Sequence, residues 1–383
     1  MLSLYLAGSV AQLQLRAQRL VGRIPRDLPR EYAALEQACR TQINAIVAGL
    51  GRLADDTRDN KSKRQSVQLR VFRRLVADLD ILEATGIMAL TRRHSDDHLL
   101  NHLIEQIRNE IRYPLAAPVV SSLSQQYFQI KSDLNLLFVP LAEGDFLLHL
   151  PDLYHELAHP LLSVVNDPAL DPFQNAFYRA ADHVMCHLDE LERRESRRYG
   201  PKAYGILLKQ WADAWIPFWL TELFCDAFAT CTLGAAYAWA HLHLIAKRGD
   251  NPFEIWSGAR SHPPDEARLR VMLLCLEKCG EGFAAGRVRK QWNEFKSEIE
   301  LEPEPEYPRC LPDALLSTIA TEAKIGVEGL GCRLADSQGN QPVSQLLNAA
   351  WEQFWAAPES YVDWERTEIE KLRLQARQSR VHP

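Results

Sequence analysis

From Ala227 to Ala246 the chain carries no Asp, Glu, Lys or Arg, and a helix of that length could cross a bilayer. Its composition argues for burial within a protein instead. The stretch is rich in Ala, holds Thr230, Thr232, His241 and His243, and begins directly after Asp226. Any fold of this chain must wrap such a segment on every side. Glu222 and Asp226, at its entrance, are the only acids between Asp213 and Asp250. An ionised carboxylate without a partner is very costly in apolar surroundings, so each needs a cation or strong donors. Arginines could supply them, and so could a metal ion.

His155-Glu156-Leu157-Ala158-His159 offers the metal. Two imidazoles four residues apart lie on one helix face, where both can bind a single Zn2+ while the Glu between them reaches a water in the fourth position. The pentapeptide becomes informative only with a third ligand, and Glu222 is the candidate. Asp226 shares its helix face and is expected to hold the far N–H of His155 or His159. Pro160 directly follows the second histidine and is expected to kink the helix there.

His155-Glu156-x-x-His159 followed by Glu222-x-x-x-Asp226 resembles the gluzincin metallopeptidases. The long gap makes it more similar to the CAAX prenyl protease and HtpX heat-shock protease family than to thermolysin. A third segment, Ser261-His262-Pro263-Pro264-Asp265-Glu266-Ala267-Arg268-Leu269, is similar to the His-Pro, then Arg, segment near the active site of that family. The resemblance covers residues 135 to 272 and implies that His262 and Arg268 face a catalytic cleft. The two prolines fit a helix start, so His262 could donate to a developing oxyanion, with Arg268 as a second cation or a structural clamp. The membrane-spanning helices of those relatives are missing or reduced to the 227 to 246 stretch, so a membrane-bound prenyl-protein substrate is not implied.

The rest of the chain reads as support. The net charge of -6, from 44 basic and 50 acidic residues, gives no electrostatic case for nucleic acid or an acidic membrane. Eight scattered cysteines without a Cys-x-x-Cys pair suit free thiols in a reducing compartment. The apolar start, Met1 to Ala11, lacks a basic segment and is kept as structure. Helical periodicity marks Leu35, Ile43, Ile46, Val47 and Leu50, then Val67 to Leu79, then Asp96 to Ile111. Short apolar runs at 127 to 130 and 134 to 139 predict a small sheet, and the second of these is expected to be an edge on which an extended substrate could pair. A helix is predicted from Pro172 to Arg198, and a helix or helix pair from Tyr204 to Ala246 with a kink at Pro217. Other histidine groups read as structural: His94, His98 and His102 on a solvent face, His183 with His187, and the pair His241 and His243. No phosphate loop and no Gly-x-Ser-x-Gly is present.

The expectation is a predominantly helical α+β protein: a helical region over 1–118, a zincin-like (gluzincin) catalytic core with a small sheet over 119–280, and a helical region over 281–383. Its function is expected to be that of a cytoplasmic zinc metalloendopeptidase. His155, His159 and Glu222 hold Zn2+, Asp226 orients a ligand, and Glu156, His262 and Arg268 act in catalysis. The expected partners are a protein or peptide substrate and a regulatory protein bound through the helical flanks, with no nucleic acid and no membrane association. The alternative is a helical interaction or regulatory protein with a structural or inactive metal site.

Overall fold

The computed structural model describes residues 2–58, 65–93, 95–123, 127–199, 205–255, 262–299, 301–335 and 341–378. The chain divides into two compact units. One comprises Met1–Asn101 with Pro118–Leu141, and the other His102–Ala117 with Ala142–Pro383. The short strands therefore group with the N-terminal helices, whereas the sequence division placed them with residues up to 280.

In the first unit, α1 (Leu2–Arg23), α2 (Ala33–Arg58), α3 (Gln65–Leu82), a π-helical turn at Glu83–Ile87, the short α4 (Met88–Thr91) and the start of α5 (Ser95–Ile111) surround a three-stranded sheet. α1 buries Val10, Leu13, Ala17, Leu20 and Ile24, and α2 buries Leu35, Cys39, Ile43, Ile46, Leu50 and Leu53. Both sets recur at spacings of three and four, so each helix presents one continuous apolar stripe to this core. Val47 packs at its margin.

The sheet has the order β1 (Val119–Ser121), β3 (Leu136–Phe138), β2 (Gln129–Lys131), with β1 parallel and β2 antiparallel to β3. The expected edge strand is thus the central one. β3 pairs on both sides and is wholly buried, so it has no free edge for an extended substrate. Its continuous apolar run, Leu136 to Val139, is what a strand buried on both faces requires.

The second unit holds the remainder of α5, α6 (Asp152–Ser163), α7 (Asp171–Tyr199), α8 (Gly205–Ala214), α9 (Leu220–Leu233), α10 (Ala235–Arg248), α11 (Asp265–Lys278), α12 (Gly282–Ile299), α13 (Tyr307–Cys310), α14 (Asp313–Gly329), α15 (Pro342–Ala356) and α16 (Tyr361–Gln378). α9 is its axis, buried at every position but Thr221 and packed on α6, α7, α10, α11 and α14. A helix so free of charge is stable only when it is enclosed.

Pro217 lies in a π-helical turn, Trp215–Trp219, that leads into α9. The uncharged stretch is then split at Gly234, whose φ of 90° and ψ of -150° only glycine adopts readily. Asn348 of α15 bridges the break. Its amide donates to Leu233 O at 2.8 Å and its carbonyl accepts from Ala236 N at 3.0 Å. Neither half is long enough to span a bilayer, and no helix among the described residues is long and apolar enough to do so.

Pro160 does not end α6, which runs on to Ser163. Tyr113 Oη donates to Leu157 O at 2.7 Å and ties α6 to the segment after α5. The carboxylate of Glu110 accepts from Val343 N and Ser344 N, capping α15. Glu365 of α16 accepts from Leu147 N, just before α6.

α7 and α14 approach closely at Gly326, where an added Cβ would lie 2.9 Å from Phe173 Cδ2 and 3.2 Å from Phe173 Cα. The backbone atom cannot move aside as a side-chain tip can. Gly326→Ala is expected to destabilise the protein by about 1–3 kcal/mol through overpacking. A shift of the urea unfolding midpoint measures it, and Gly286→Ala, where no atom lies within 4 Å of the new Cβ, should show no such loss.

Candidate metal centre

α6 presents His155 and His159 one turn apart, their rings edge to face with centroids 5.1 Å apart. α9 presents Glu222 and Asp226 one turn apart. His155 Nε2 lies 3.3 Å from Glu222 Oε2, and His159 Nε2 lies 3.9 Å from Glu222 Oε1. On the other side of its ring, His155 Nδ1 sits 2.9 Å from Asp226 Oδ1 and 2.9 Å from Tyr237 Oη. Tyr237, in α10, donates to Asp226 Oδ1 at 2.6 Å. Arg268, in α11, donates through Nε and Nη2 to the two carboxylate oxygens at 2.8 and 2.7 Å. Four helices meet around one buried carboxylate.

The charges follow from this geometry. Burial favours neutral Asp226, but Arg268 and then His155 hold it well below the usual carboxylate range. Burial also opposes ionised Glu222, yet the hydrogen bond and charge of His155, with the charges of His159 and Arg268, bring it down to about 2. For His155, burial disfavours the cation while hydrogen bonds and charge from Asp226 and Glu222 push it up to about 10. His159 is brought down to about 4 by burial and by the charge on His155. The pocket therefore attracts positive charge and keeps its second imidazole neutral, the form in which histidine binds metals.

An ionised Asp226 can only accept, so in neutral His155 the proton resides on Nδ1 and the Nε2 lone pair faces Glu222. Glu222 Oε2 is buried, and at 3.3 Å its contact with His155 Nε2 is long for a charge-assisted hydrogen bond. Two imidazole lone pairs and a carboxylate oxygen at these distances repel unless a proton or a cation lies among them. A proton on His155 Nε2 turns one contact into a charged pair. A zinc ion satisfies all three groups, because neutral imidazole and carboxylate oxygen are its ordinary ligands.

A second donor set overlaps the first. One ligand atom each from His155, His159 and Cys225 lie within 4.8 Å of one another. Burial, reinforced by the charges of Glu222, Asp226 and Glu156, raises the Cys225 thiol well above its ordinary value, so in the absence of a metal ion it is held as the thiol. Glu222 is already ionised, which makes it the better third donor.

Glu156 is buried between the two histidines in α6. His262 is more than half exposed, and its Nε2 lies 3.4 Å from Glu222 Oε2, at the same carboxylate as the two α6 histidines. Ser261, which precedes it in the third segment, lies outside the described residues. Arg268 was expected at a catalytic cleft, with a structural clamp as the other option. Its guanidinium is buried and bound through two nitrogens to Asp226, so the geometry gives it the clamp role. Of the two sources of partners considered for the acids, Asp226 takes an arginine, and Glu222 faces the histidines.

Sequence reasoning missed Tyr237 and Cys225. Tyr237 sits beyond a helix break in an uncharged stretch, where no spacing links it to Asp226. Cys225 was visible as a neighbour of Asp226 but carried no pattern. Of the other histidines, His187 Nε2 bonds Arg309 O at 2.9 Å, His241 Nε2 bonds Asp265 O at 3.0 Å, and His98 lies 3.7 Å from Glu31. His94 lies outside the described residues.

Compared with known proteins, the chain matches no family model, no curated protein and no solved structure. Arg268→Gln leaves Asp226 buried without its cation and is expected to cost about 3–5 kcal/mol of stability. Urea unfolding tests this, with the exposed Arg366→Gln as a control expected to stay within about 0.5 kcal/mol.

Proposed function

We propose that the chain is a zinc-dependent metalloendopeptidase of the gluzincin type, with a zincin-like core resembling that of the CAAX prenyl protease and HtpX family. The observation that supports this most is the buried Glu222 carboxylate facing the Nε2 atoms of both α6 histidines. His155, His159 and Glu222 hold Zn2+, which when bound supplies a Lewis acid and a water acidic enough to react near neutral pH. Glu156 accepts a proton from the attacking water and later delivers it to the leaving amine. His262 donates to the developing oxyanion. Arg268 and Tyr237 act through Asp226, which keeps the proton of His155 on Nδ1 and the ring in place. The substrate is a protein or peptide, and the helices that flank the site are the surface for a regulatory partner.

A second reading draws on Cys225. A sulfur donor beside two imidazoles and a carboxylate would fill all four positions of a tetrahedral zinc site. Such a site is closed, and the chain would then be a helical interaction or regulatory protein with structural metal.

Zinc content and cleavage of a broad peptide library, measured for wild type and Glu156→Gln, separate the two. The peptidase reading expects one zinc per chain in both proteins and a loss of about 10²–10⁴-fold in cleavage for the variant. Equal cleavage by both sinks the mechanism. Stoichiometric zinc with no cleavage by wild type favours the closed site. Removing the metal with a chelator is expected to abolish cleavage, and adding zinc back to restore it.

A further inference from the structure

A second cluster of reactive side chains lies where α9 and α11 meet, and the peptidase reading does not use it. The two helices run side by side in the same direction, since partners advance together along both: Asp226 pairs with Arg268, and farther on Cys231 meets Cys275 and Cys279. Cys279 Sγ lies 3.7 Å from Cys231 Sγ, and Cys275 is a further neighbour of Cys231. Cys231 and Cys275 are fully buried, whereas Cys279 is partly exposed at the C-terminal end of α11.

We propose that Cys231 and Cys279 form a redox pair that closes to an intramolecular disulfide, fastening α9 to α11 beyond the Asp226–Arg268 contact. A disulfide needs its sulfurs about 2.05 Å apart, so one sulfur must move inward. Cys279 is the one placed to do so. It caps α11 and is followed by Gly280, at a φ of 86° and with no atom near its missing side chain. The backbone there turns rather than continuing a helix.

The oxidant is a low-molecular-weight disulfide such as oxidised glutathione. The hydrogen bond to Cys231 and then burial raise the Cys279 thiol, so attack on one glutathione sulfur runs slowly, through the small fraction present as thiolate. The glutathione disulfide bond breaks, a mixed disulfide forms, and the departing glutathione sulfur takes up the proton that Cys279 released. Cys231 then attacks the Cys279 sulfur and expels the second glutathione, which takes the Cys231 proton. Two protein thiols are oxidised and one glutathione disulfide is reduced to two thiols. Cys275, beside Cys231, is the competitor for this second step.

The cross-link joins residues 48 apart in sequence and holds together the two helices that carry Asp226 and Arg268. It requires no metal and no peptidase activity, so its test stands apart from the proposed function. The full chain with Cys186→Ser, which removes the exposed thiol, has seven of its eight cysteines left. It is incubated with oxidised glutathione, acid-quenched, denatured and titrated for free thiols, and the disulfide is located by peptide mapping. The expected result is a fall from seven thiols to five, a Cys231–Cys279 bond, and a return to seven on reduction with dithiothreitol. The same chain with Cys279→Ser should stay at six. A count that stays at seven in the first chain, a stable glutathione adduct on Cys279, or a bond mapped to Cys231 and Cys275 overturns the proposal. The mapping in the Cys279-containing chain stands even if the second variant does not fold.

Discussion

The second unit depends on one buried carboxylate. Asp226 is fully enclosed, in the middle of a helix that has almost no charge of its own. Taking a carboxylate out of water costs several kcal/mol, and here Arg268, Tyr237 and His155 offset that cost from three other helices. Each of these partners fixes the side chain that serves the site. Because Asp226 takes the Nδ1 side of His155, Nε2 is turned toward Glu222. Because Arg268 is hydrogen-bonded to Asp226, it acts on Glu222 only through its charge, and that carboxylate faces histidines.

The metal candidates were legible in the sequence for two distinct reasons. His155, Glu156 and His159 were found by spacing, since a helix places every fourth residue on one face. Glu222 and Asp226 were found by isolation, since acids in an apolar run demand partners. The positions of His262 and Arg268 came from a resemblance alone, and only the structure separates their roles, with one ring at the Glu222 carboxylate and one guanidinium locked beneath it. Tyr237 could not have been found by either route. Its hydroxyl reaches Asp226 across the helix break at Gly234, and a contact made across a break leaves no period in the sequence.

The helices were legible for the same reason as the spacing motif, and the stripe of α2 falls on positions that periodicity marked. Pro217 and Pro160 show the limit of local rules. The first sits in a π-helical turn as expected of a disrupted helix, whereas α6 continues past the second, held by packing against α9 and by the Tyr113 hydroxyl. The sheet was half legible. An apolar run signals a buried strand but not which neighbours it has, and β1 is only three residues long, directly after Pro118. Without β1, the run at 134 to 139 looks like an edge; with it, the strand is central.

The bonds from Glu110 to the start of α15 and from Glu365 to Leu147 join residues separated by 233 and 218 positions. Contacts of such separation form late, because the intervening chain must be ordered before they are rewarded. A ribosome releases α6 and α9 long before α15 and α16. The helices of the candidate metal centre therefore wait, without the Asn348 bridge at their central break, for the last part of the chain to arrive. During synthesis the most apolar segment of the protein lacks α14 and the Asn348 bridge until those parts emerge, which gives a chaperone a reason to hold it.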